Sequence, residues 1–155
     1  MLVATALLLG ATQDAFKEQG MLPMEVYKDL DVCHRDSEAF ARVEKWITDG
    51  GNVNAEEAFQ GGTMLHTAAA RGNKQMTSLL LQYKANPNLH ARNGATPLIL
   101  ASGKGHLPVV KALIEAGADP DFRDDRGVSA LMCTRSTHAA QTSLAAGKNI
   151  QHSRV

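Results

Sequence analysis

The chain has 155 residues, with 16 Lys and Arg against 16 Asp and Glu, 44% hydrophobic side chains and 21% charged ones. The length suits a single domain, and the apolar share excludes a disordered chain. A net charge of zero argues against nucleic acid or an anionic membrane surface as the main partner, because both select a basic excess.

In chain order, residues 1–11 come first, an apolar run MLVATALLLGA without the Lys or Arg of a signal peptide. It reads as a helix packed on the rest of the chain, with a targeting segment as the other reading. No run reaches the roughly 18–20 apolar residues of a membrane span. Residues 21–32 follow, with Pro23 suited to a first helical position and Leu22, Val26 and Leu30 four apart. This segment is expected to supply a first helix or a cap. A second helix is expected over 38–48, where Phe40, Val43, Trp46 and Ile47 form an apolar stripe. Gly50, Gly51, Asn52, Val53 and Asn54 open a loop.

From here the sequence matches itself at a shift of 33. Thr63 falls on Thr96 and Ser129, and Leu65 on Leu98 and Leu131. Ala68 falls on Ala101, Gly72 on Gly105, and Gly94 on Gly127. Ala85-Asn86-Pro87-Asn88 falls on Ala118-Asp119-Pro120-Asp121. Each unit reads as helix, tight turn, helix, extended loop. In the unit from Thr96, the threonine is an N-cap and Pro97 takes the first helical position. Gly105 suits a left-handed residue after the helix end. A second helix starts near Leu107, with Leu107, Val110, Leu113 and Ile114 on one stripe, and Gly117 ends it. Asn54 to Thr63 is one residue longer than Asn88 to Thr96, which reads as an insertion in the first loop. The unit from Ser129 is degenerate. Its second helix offers Leu144 alone, and Ala145-Ala146-Gly147 arrives a turn early. It reads as a polar C-terminal cap; the other reading is the ragged end of a truncated chain.

Thr63-Met64-Leu65-His66-Thr67-Ala68, Thr96-Pro97-Leu98 with Ala101, and Gly117-Ala118-Asp119 with Asp121 carry a family resemblance. Over about residues 34–137 the chain resembles the ankyrin repeat. The resemblance implies an all-α solenoid of stacked helix-turn-helix units with projecting β-turn or hairpin loops. Its expected organisation is an N-terminal segment with a capping helix over 1–33, an array over 34–149 and a tail over 150–155. Within the array the units are partial 34–62, full 63–95, full 96–128 and degenerate 129–149. The resemblance also implies that His66 hydrogen-bonds within and between repeats, and that His106 is structural. Ile99 and Met132 replace that histidine in the later units.

Chemistry-bearing patterns are sparse. No two of the six histidines stand three or four apart, and Cys33 and Cys133 form no CxxC pair. Gly103-Lys104-Gly105 fails as a phosphate loop, because position 98 is Leu and position 105 is Gly. Cys133 reads as a buried, inert helix residue. Neither an enzyme activity nor a cofactor or metal is expected. The chain is expected to be monomeric and intracellular, in the cytoplasm.

What remains is a surface. By resemblance, the variable positions at loop tips and first-helix faces are Phe59, Gln60, Ala70 and Arg71 in one unit. In the next they are Arg92, Asn93, Ala95 and Lys104, and in the third Asp125, Arg126, Val128 and Arg135. An aromatic beside arginines is a composition found at binding hot spots; Phe59 packed under the inserted loop is the alternative. The cations point to a partner polypeptide with some acidic character. The competing function is a regulatory or structural ankyrin fragment of a larger multidomain protein whose activity lies elsewhere.

Overall fold

A computed structural model describes residues 21–32, 37–57 and 61–134. Seven helices appear among these residues: α1 Met24–Val32, α2 Ser37–Thr48, α3 Met64–Arg71, α4 Lys74–Gln82, α5 Pro97–Gly103, α6 Leu107–Glu115 and α7 Ala130–Thr134. Helix α1 packs on α2, α3 on α4 and α5 on α6 as hairpins. The first members of the hairpins form an inner row, α1 on α3 on α5 on α7, and α4 packs on α6 outside it. The architecture is the all-α solenoid that the repeat pattern implies.

Local sequence explains where the inner helices begin. Thr96 is extended, its Oγ1 accepts the Ile99 N–H at 3.3 Å, and Pro97 follows at the first helical position. At α3 an imidazole completes the cap: the Thr63 N–H donates to Nδ1 of His66 at 3.0 Å. This is a capping box with His in the place usually held by Glu or Gln. Helix α1 departs from expectation by one residue. Pro23 precedes the helix and its carbonyl accepts the Tyr27 N–H at 3.0 Å, so it closes the first turn from outside.

Between inner and outer helices the chain reverses on a glycine. Gly72 is left-handed, with φ 70°, and Asn73 then caps α4 by accepting the Met76 N–H at 3.0 Å. A Cβ at Gly72 would lie 2.6 Å from the His106 ring. That ring reaches across from the next unit and donates from Nε2 to the Ala70 carbonyl at 3.2 Å. His106 is thus structural, as the resemblance implies.

The core takes one stripe per helix. Leu65, Met76, Leu80, Leu98, Val109, Val110 and Leu113 are all fully buried. The expected stripe of α6 is rotated: Val109 is buried, whereas Leu107 and Ile114 are half-buried. In α2, Ala39 goes inside and Phe40 packs at the edge. Cys133 is half-buried against the core, not fully enclosed. Burial, and after it the charge of Asp124, pushes its thiol pKa up. Arg42 of α2 grips both carboxylate oxygens of Asp29 of α1, at 2.7 and 3.0 Å, and so ties the first hairpin together.

The loops repeat as well. Ala91 N–H bonds the Ala95 carbonyl, and Asp124 N–H bonds the Val128 carbonyl, both at 2.9 Å. The matching first loop closes from Glu57 N–H to the Gly62 carbonyl at 2.7 Å. That span runs 57 to 62 instead of 91 to 95, so the extra residue of the first loop lies inside it. Successive loops are stitched at two levels. Asp125 N–H reaches the Asn93 carbonyl at 3.2 Å. Below, the Asn86 N–H bonds Oδ1 of Asn54, and the Asp119 N–H bonds Oδ1 of Asn88, both at 2.8 Å.

Candidate functional site: the groove between inner helices and loops

A groove of about 560 Å³ opens between the inner helices and the loops. Thr67, Ala70 and Arg71 of α3 line it, with Leu100 of α5 and Lys104 just beyond that helix. Ala91, Arg92 and Asn93 line it from the second loop, Glu57 and Gly62 from the first, and Tyr27 from α1. His66 reaches it from beneath.

Five residues singled out in the sequence therefore come together: Ala70, Arg71, Arg92, Asn93 and Lys104. Arg71, Arg92, Asn93 and Lys104 are exposed there. The stem of Arg92 lies across Gly61, where a Cβ would stand 2.6 Å from its Cγ. Gly61, left-handed at φ 63°, thus leaves room for that side chain.

Others separate. Asp125, Arg126 and Val128 belong to the third loop and are not part of the groove lining. The Arg126 guanidinium is held on Asp124 by Nε and Nη2 at 3.2 and 3.0 Å. Asp124 Oδ1 also accepts the N–H of Val128 at 2.8 Å and of Arg126 at 3.0 Å. These donors, the Val128 N–H foremost, hold the Asp124 carboxyl below its usual range. Arg126 and Val128 thus shape a loop. Ala95 is a correction: it is 2% exposed, and its carbonyl accepts from His66, so its side chain offers no surface. Phe59, Gln60 and Arg135 lie outside the described residues, as do residues 1–11, Cys33 and the degenerate helix after Thr134.

Sequence reasoning missed Tyr27, Glu57, Thr67 and Leu100. Thr67 and Leu100 stand 33 apart, one position after His66 and Ile99, and that register was the available signal. Tyr27 follows buried Val26 on α1 and is half-buried, packed against the core at the edge of the groove.

The electrostatics are uneven. Among the described residues, Arg71, Arg92 and Lys104 face the groove against one carboxylate, Glu57, whose pKa burial pushes up. His66 adds no charge near neutrality. Its Nδ1 accepts from Thr63, so Nε2 carries the proton and donates to the Ala95 carbonyl at 3.1 Å. Burial drives its pKa down to about 4. Among the described residues there is no cluster of metal-ligating side chains and no helix long and apolar enough to cross a membrane.

A family model for ankyrin repeats matches residues 33–139 in three copies. The chain is an ankyrin-repeat protein. It is 32% identical over 88 residues to the E3 ubiquitin-protein ligase KEG of Arabidopsis thaliana, covering 57% of this chain and 5% of that protein. It is 35% identical over 94 residues to the palmitoyltransferase Hip14 of Drosophila melanogaster, covering 60% of this chain and 15% of that one. A putative ankyrin repeat-containing protein of Treponema pallidum is 39% identical over 84 residues, covering 54% of this chain and 28% of its own length. The stretch matched by this chain thus spans only a small part of each of these relatives. Ankyrin repeats are in general protein-interaction modules, and this fold is not itself a catalytic one.

Proposed function

We propose that this ankyrin array binds a partner polypeptide in the groove lined by α3, α5 and the first two loops. The observation that carries the reading is the convergence of Arg71, Arg92 and Lys104 on one recess with an apolar and aromatic floor, Leu100 and Tyr27. Cations around an apolar strip suit a polypeptide with some acidic character. The zero net charge of the chain supports a polypeptide over nucleic acid. No cofactor, metal or catalytic residue enters this reading, and it takes the array as a monomer in the cytoplasm.

The test is a selection of random peptides of about ten residues on the purified chain, followed by binding to variants. Thr67→Arg and Leu100→Arg fill the groove floor, and Lys111→Glu changes the outer face, where Lys111 is exposed. Selected peptides are expected to lose affinity on the first two and keep it on the third. Equal binding to all three would remove the groove from the account.

A second reading has one supporting observation. The matched stretch is 5% of one relative and 15% of another. A regulatory or structural array serving an activity placed elsewhere fits those proportions, and it uses the same groove.

A further inference from the structure

The groove has a periodicity that a ligand must share. Arg71 ends α3 and Lys104 directly follows α5, at equivalent positions one repeat apart, 71 plus 33 being 104. Both are exposed and both line the same recess. The two helices pack side by side, and packed helices stand about 8–10 Å apart. Two like charges are therefore presented at roughly that interval along the array.

Chain conformation decides which ligand residues meet them together. A polyproline II segment has three residues per turn and rises about 3.1 Å per residue, so residues i and i+3 share a face about 9 Å apart. A β-strand places same-face residues about 6.6 or 13 Å apart, which brackets the interval without matching it. A polyproline II segment also makes no internal hydrogen bonds, and its carbonyls need donors. Arg92 and Asn93 line the groove from the loop side and carry such donors.

We propose that the groove takes an extended, polyproline-II-like peptide whose carboxylates stand three residues apart, one on Arg71 and one on Lys104. Its backbone runs along the inner helices over Thr67 and Leu100, within reach of Arg92 and Asn93. The proposal rests on the groove reading above and adds the ligand's conformation and charge spacing. Glu57 stands at the end of the recess built by the first loop and discourages a carboxylate there. The recess therefore distinguishes its two ends by charge.

The test is the sequence pattern of peptides selected from a random library, with parent and charge-reversed chains as bait. On the parent, Asp or Glu pairs at i and i+3 are expected to be enriched over other spacings. On Lys104→Glu, one acidic position of the pair is expected to give way to Lys or Arg, and peptides selected on the parent are expected to bind about five- to tenfold more weakly. Arg71→Glu is expected to displace the other position. Both residues are exposed, so thermal midpoints near the parent's confirm that the variants fold. Added salt is expected to weaken parent binding further. Groove-dependent peptides with no acidic pair, with a pair at another spacing, or with a pair unchanged on Lys104→Glu would overturn the spacing and leave the groove reading standing. Peptides indifferent to Thr67→Arg and Leu100→Arg would overturn both.

Discussion

His66 shows how much one side chain carries in this array. It caps its own helix through Thr63 and joins its unit to the next through Ala95. The bond from Thr63 needs the neutral ring, because Nδ1 accepts in it, and burial lowers the ring's pKa from an ordinary 6.5 to about 4. The sign follows from linkage. Above pH 6.5 the ring is neutral in folded and unfolded chains alike. Between 6.5 and about 4 only the unfolded chain takes up the proton, so stability falls as pH drops through that window. The loss is on the order of 3 kcal/mol at full extent. Urea midpoints measured from pH 7 to pH 4.5 are expected to decline in the parent and to decline less in His66→Gln. Parallel declines would assign the pH dependence to other groups. Asp124 acts in the same direction but lower, since its depressed carboxyl takes up a proton only below the ordinary carboxylate range.

Gly72 offers a second test at this scale. Its left-handed φ and the ring of His106 leave no place for a methyl group. Gly72→Ala is expected to lower stability by about 1–2 kcal/mol from backbone strain alone, read as a drop in the thermal midpoint. An unchanged midpoint would contradict both the backbone strain and the clash with the ring.

The helices were mostly legible from sequence, for a physical reason. A repeat presents the same local problem several times, so Thr96, Pro97 and Gly105 could be checked against Thr63 and Gly72, and each solved its end of a helix as expected. What escaped was orientation. Val109 and not Leu107 is fully buried because α6 packs on both α5 and α4, which turns its inward face away from the expected stripe. Ala95 was misassigned to the surface because its backbone position at a loop end gives no sign that His66 draws it inside. Tyr27 was missed because α1 has no repeat partner in the sequence to compare it with. The groove was half legible: the repeat register placed Arg71, Arg92 and Lys104 on one face, but only the folded loops show that Arg126 is held elsewhere. Packing energetics belong to this scale too. Leu98 is 1% exposed between neighbouring helices, and Leu98→Ala is expected to cost about 2–5 kcal/mol. Thermal unfolding close to the parent's would show that the stack tolerates the cavity.

Across the whole molecule, stability and recognition come from the same stacking. Each hairpin buries its apolar face only against its neighbours, and the row of inner helices that results is also the wall of the groove. Separate cationic residues become a surface because the repeat sets them at a fixed interval. The account therefore expects binding and array integrity to fall together in Leu98→Ala, and binding alone to fall in Thr67→Arg, because Thr67 lines the groove outside the core cluster. The most direct measurement is amide chemical-shift mapping of the chain with a selected peptide added. Shifts are expected to centre on Thr67, Ala70, Arg92 and Leu100. Shifts centred instead on Lys74, Lys111 and Glu115, on the outer helices, would contradict the claim that the inner groove is where this protein holds its partner.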